Sequence, residues 1–122
     1  MEKQTNKIIG LTLAVHEMTE MLKFYSIVFE MKFQCEEISG HKLYRGKLGL
    51  IDILLCPAQL AKNMASQNRH QLEILVQDIH ASIKLASIYA YDILEEISEE
   101  KGYFSVCIYD PDKNSIILKQ KS

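Results

Sequence analysis

Three things are missing from this 122-residue chain, and each absence removes a class of protein. Positive charge is not in excess. With 14 Lys and Arg against 16 Asp and Glu, the formal net charge is −2, so nothing in the balance offers a basic surface to nucleic acid or an anionic membrane. No apolar run reaches the length that crosses a bilayer, because Asp52 interrupts the best candidate. Residues 1–7 are polar and lack the pattern of a signal peptide, which predicts a cytoplasmic location. Cysteine is scarce and odd in number. Cys35, Cys56 and Cys107 lie far apart in apolar, strand-like stretches, which predicts buried free thiols rather than a disulfide framework or a zinc site.

What is present is a repetition. Residues 11–33 lie on residues 72–94 without a gap, at a constant offset of 61. Leu11, Val15, Lys23, Ser26 and Ile27 meet identical partners in Leu72, Val76, Lys84, Ser87 and Ile88, and the apolar phase agrees along the rest. The length suits one domain and is too short for two independent cores. Residues 1–122 are therefore read as a single domain with unit one over 8–56, a linker over 57–69 and unit two over 70–120.

Periodicity assigns the elements of each unit. Residues 8–15 alternate as a half-buried strand, and Met18, Met21, Leu22, Tyr25 and Phe29 recur at helical spacing. Three strands are predicted next, over 31–38, 42–47 and 48–56, separated by Ser39-Gly40 and by the 46–49 stretch. The second unit repeats the order. A strand over 72–76 leads to Asp78 as helix N-cap, a helix over 79–90 and strands around 92–97, 103–109 and 115–120. The run Asp110-Pro111-Asp112-Lys113-Asn114 supplies the last turn.

With these elements in hand, the chain resembles the vicinal oxygen chelate superfamily, also called the glyoxalase/bleomycin resistance/dioxygenase superfamily. The resemblance covers nearly the whole chain. Val15 and Glu17 before a helix that holds Phe24-Tyr25 resemble the family's opening strand and helix. The stretch from Gly102 to Asn114 looks like its closing strand and Asp-Pro-Asp-Gly-Asn turn, with Lys113 in place of the glycine. The resemblance implies an α+β fold in which two tandem β-α-β-β-β units form one cupped, eight-stranded mixed sheet, helices outside and a ligand cavity inside.

Strand alternation then separates two faces. Leu11, Leu13 and Val15, Ile51, Ile53 and Leu55, Leu72, Ile74 and Val76, and Ile116 and Leu118 are expected beneath the helices. The opposite face should line the cup, and it carries the candidate ligand-binding residues Asp52, Gln71, Glu73, Tyr103, Cys107, Tyr109 and Lys119. Asp52 and Glu73 are inward carboxylates that could act as acid, base or anchor, or form an internal ion pair with Lys119. Tyr103 and Tyr109 could stack on a flat ligand or fill an edge strand. Cys107 shares their face, and the sequence puts no histidine beside it to activate a nucleophile.

Metal-dependent relatives place His, Gln or Glu at four inward positions, and the resemblance maps these onto Gly10, Asp52, Gln71 and Ile117. Glycine and isoleucine offer no donor. Neighbouring His70 would turn inward only through a one-residue slip that expels Leu72 and Ile74 from the core. The expectation is thus a protein with no metal and no cofactor that binds a small organic ligand and pairs as a homodimer, resembling the family's drug-sequestering proteins. A metal-dependent glyoxalase-type lyase, isomerase or dioxygenase, its ion held by Asp52, by His70 or Gln71 and by a partner chain, is the alternative. A non-catalytic interaction module is the other.

Overall fold

A computed structural model of the chain describes residues 9–60, 70–89 and 96–122. Apolar alternation builds the same order of elements twice. The first half contains β1 (Gly10–Val15), α1 (Met18–Val28), β2 (Gln34–Ile38), β3 (His41–Leu48) and β4 (Ile51–Pro57). The second contains β5 (Leu72–Leu75), α2 (Ile79–Tyr89), β6 (Ser98–Glu100), β7 (Tyr103–Tyr109) and β8 (Ser115–Lys121). β1 runs parallel to β4 and β5 parallel to β8, while the other neighbours are antiparallel. The result is an α+β fold of two mixed sheets with strand orders β1-β4-β3-β2 and β5-β8-β7-β6.

This corrects one expectation, because the hydrogen-bonded unit is four strands and not eight. β1 and β5 each end a sheet, and an apolar groove is lined by Leu11 on one side and by Leu72, Ile74 and Leu75 on the other.

The sheets share their core. Leu13, Val15, Ile53 and Leu55 from the first join Ile74, Val106, Ile108, Ile116 and Leu118 from the second in one buried cluster. Met21, Phe24, Tyr25 and Val28 of α1 fill it at the spacing of one helical face, and α2 adds Ile79 and Ala86. The helices pack on each other. The predicted buried faces hold except at one end, where Ile51 is 41% exposed and lines the groove with Leu11 and Leu72.

Several boundaries differ from the sequence reading for local reasons. β2 begins at Gln34, since Met31 is buried in the core rather than paired in the sheet. Gly46 lies inside β3 and not in a break: a Cβ there would meet the Lys32 carbonyl at 2.9 Å and the Phe33 ring at 3.1 Å. Its bare backbone lets the lead into β2 press against β3. β6 is Ser98–Glu100, later than expected, and residues 92–95 of that expectation fall outside the described ones. So do residue 90 of the predicted second helix and residues 61–69 of the predicted linker. Cys56 and Cys107 are buried as expected, but Cys35 is exposed on β2, which is an edge strand.

The turn at 110–114 ties the halves together. Asp110 is fully buried and accepts hydrogen bonds from the Tyr25 hydroxyl at 2.9 Å and from the backbone and side-chain N–H groups of Asn114 at 2.9 Å each. Asp112 accepts from the backbone N–H groups of His16 and Glu17, at 2.8 and 3.0 Å, where the chain enters α1. Lys113 takes φ +67°, the left-handed conformation that glycine adopts without strain. Entry to α2 is held similarly: Asp78 accepts from Ala81 N–H at 3.1 Å, the expected cap, and Gln120 accepts from Ile79 N–H at 2.7 Å.

Candidate functional site

Pairing register brings five of the seven candidate residues to one face of the second sheet, and Gln71 adjoins them just before β5. Glu73 lies opposite Ile117, which lies opposite Cys107, and Lys119 lies opposite Ser105 in the next row on that side. Period-two alternation puts Tyr103 and Tyr109 there as well. Glu73, Lys119 and Tyr103 form a connected set: Lys119 Nζ is 2.8 Å from Glu73 Oε1 and 5.6 Å from the centre of the Tyr103 ring. Glu73 raises the Lys119 pKa, mainly through the hydrogen bond it accepts. One face of the Tyr103 ring is therefore already occupied by an internal ammonium group.

The other members make separate contacts. Gln71 Nε2 donates to Ser115 Oγ at 2.9 Å, and Ser115 sits opposite Tyr109. Cys107 is buried. Asp52 belongs to the first sheet, where its carboxylate lies 3.2 Å from Lys47 Nζ, so it does not join the set around Lys119. The structure thus pairs Glu73 with Lys119, as one of the open readings had it, and gives Asp52 a different cation.

Two grooves flank these residues. One of about 400 Å³ is walled by Leu11, Leu48, Ile51, Leu72 and Ile74 and takes in Glu73. The other, about 530 Å³, contains Asp52 and is lined by charged and polar side chains. Of its basic residues Lys32, Arg45 and Lys47, sequence reasoning passed over the last two on β3. The signal was available: the alternation used for β4 also places both on the Asp52 face of β3.

Comparison with solved structures settles the fold. The chain superposes on a glyoxalase-related enzyme from Fulvimarina pelagi with a TM-score of 0.77 at 10% identity, over 94% of this chain and 88% of that one. The chain has the glyoxalase/bleomycin resistance/dioxygenase fold. An enzyme named for that family from Burkholderia phytofirmans PsJN gives a TM-score of 0.76 at 16% identity, over 93% and 97% of the two chains. An antibiotic binding protein from Streptomyces sp. CB03234 gives 0.74 at 13% identity, over 99% and 100%. No protein-family model and no curated protein matches the sequence.

The residues of this chain do not fit the metal that the glyoxalase fold often carries. Gly10 lies directly opposite Asp52, and Leu11 opposite Ile53, as Leu72 lies opposite Ile116 in the second sheet. By that register the first-sheet counterpart of Ile117 is Leu54, and the second-sheet counterpart of Asp52 is Ser115. Both positions that correspond across the halves, Leu54 and Ile117, are thus apolar. Gln71 is engaged with Ser115, Asp52 is engaged with Lys47, and His70 is exposed. Among the described residues no helix is long and apolar enough to cross a membrane.

Proposed function

We propose that this chain is a member of the glyoxalase/bleomycin resistance/dioxygenase superfamily that binds a small organic ligand without a catalytic metal. The observation that carries the reading is the donor set. Gly10, Leu54 and Ile117 supply no ligand atom, and the remaining oxygens of Asp52, Gln71 and Ser115 are weak donors for a transition metal, each engaged with a protein partner. Support for binding comes from the mixed faces on both sheets, where apolar walls stand beside a few polar groups. The likeness to an antibiotic binding protein points the same way.

Elemental analysis of protein purified without chelators should find well under one equivalent of zinc, nickel, iron or manganese. Stoichiometric metal that survives dialysis and disappears in Asp52→Ala would promote the glyoxalase-type enzyme instead. A thermal-shift screen should return small molecules that stabilise the folded protein, by about 2.7 kcal/mol at a hundredfold excess over Kd. Hits that stabilise Tyr103→Ala and Asp52→Ala as much as the parent would take the ligand away from Asp52, Gln71, Glu73, Tyr103, Cys107, Tyr109 and Lys119.

Assembly and location belong to the same proposal. β1 and β5 each have a sheet neighbour on one side only, and Leu50, Leu75 and Ile9 beside them are exposed. Free strand edges next to apolar side chains favour a homodimer. Sedimentation at micromolar concentration should give twice the 14.0 kDa of one chain, and a clean 14.0 kDa species would remove the dimer. The net charge and the absence of a membrane-length helix among the described residues support a cytoplasmic protein without nucleic-acid or membrane partners.

A further inference from the structure

We propose that the groove at the end of β2 selects a small, hydroxyl-bearing organic anion, a phosphate ester or a hydroxycarboxylate. The inference rests on the reading of the chain as a small-molecule binder and names the charge of what it binds.

β2 pairs with β3 only as far as Gln34 and Arg45, while β3 continues to Leu48. Past that pair the edge of β3 carries no strand, and the Lys32 carbonyl lies against Gly46. The groove of about 530 Å³ opens here, among Glu30, Lys32, Gln34, Arg45, Lys47 and Asp52. Three cations against two carboxylates give this lining a net formal charge of +1 on a chain whose total is −2.

The ion pairs leave donors to spare. Arg45 gives Nε and Nη2 to Glu36, at 2.8 and 3.4 Å, which leaves Nη1. Lys47 meets Asp52 through a single 3.2 Å contact, and an ammonium group has three N–H donors. Lys32 makes no ion pair among the described residues. An oxyanion reaching these three side chains gains charge-assisted hydrogen bonds, which are about twice as strong as neutral ones. The second oxygen of Asp52, the Glu30 carboxylate and the Gln34 amide offer acceptors to hydroxyl groups on the same molecule. A purely apolar or cationic ligand meets neither need.

Calorimetric titration with ribose 5-phosphate, malate, ribose and the flat cation proflavine tests this directly. Ribose 5-phosphate or malate should bind roughly tenfold tighter than ribose, and which of the two wins identifies the oxyanion. Lys32→Gln and Lys47→Gln, both surface changes, should each weaken that binding roughly tenfold, while Lys84→Gln, an exposed change on α2, leaves it unchanged. Raising the salt concentration should weaken it too. Equal affinity for ribose, or anion binding indifferent to both lysine substitutions, overturns the proposal. If the anions fail while proflavine binds through Tyr103, the anion is wrong and the binding-protein reading stands. If none of the four binds, the anion proposal falls, and the thermal-shift screen alone decides the binding-protein reading.

Discussion

Replacing Asp110 by alanine should cost about 3–5 kcal/mol, because it leaves the Tyr25 hydroxyl and two Asn114 N–H groups buried without their acceptor. Tyr25→Phe removes one donor from a carboxylate that keeps two others, and should cost about 1 kcal/mol. Burial raises the Asp110 pKa above the usual carboxylate value. Its hydrogen bonds from Asn114 and Tyr25 pull the other way without winning, and the nearby charge of Asp112 adds to the rise. The folded chain therefore holds this proton more tightly than the unfolded chain. The stability contributed by that difference is complete below the ordinary carboxylate pKa and is lost as pH rises through the raised, folded value. Urea denaturation should accordingly show a larger penalty for Asp110→Ala near about pH 4 than near about pH 7. A penalty that grows with pH would mean that folding favours the ionised carboxylate instead.

Phe24→Ala should be comparably damaging, at about 3–5 kcal/mol. Its ring is fully buried and meets Tyr25 and Phe29 edge to face, with centroids 5.2 and 5.8 Å apart. Since α1 packs into a core built from both sheets, the loss should not stay in the first half. Amide exchange in β7 and β8 should accelerate along with that in β1 and β4, through one cooperative transition. Two resolved transitions, with β7 and β8 still protected, would show that the halves fold independently.

Much of this was legible in the chain. Period-two alternation separated Leu13, Val15, Ile53, Leu55, Ile116 and Leu118 from the Asp52 and Glu73 faces, because a side chain's face depends only on parity within a strand. Helical spacing found Met21 and Tyr25. Local patterns could not reveal what depends on distant partners. In sequence Gly46 marks a break, as glycine usually does, whereas in the fold it yields space to Phe33. Cys35 was read as buried because its apolar context does not say that β2 lies at an edge. The separation of the sheets was hidden for the same reason, since pairing between β1 and β5 is a property of neither sequence. At the site, alternation groups Glu73, Tyr103, Cys107, Tyr109 and Lys119 on one face of the second sheet and puts Asp52 in the first, as the pairing register has them. It did not show that Lys119 would choose Glu73 and cover Tyr103, or that Asp52 would be held by Lys47.

One late stretch sends side chains to the starts of both helices: Asp112 holds the entry to α1, and Gln120 holds the first N–H of α2 beside the local cap Asp78. On the ribosome, α1 is synthesised early but waits some 95 residues for its anchor, as Glu17 and Asp112 are that far apart in the chain. Nascent chains arrested before Asp112 should therefore remain protease-sensitive throughout, and protection of the first half should arrive together with that of the second. A cell making this protein meets its exposed apolar face during translation, when chaperones can still reach it.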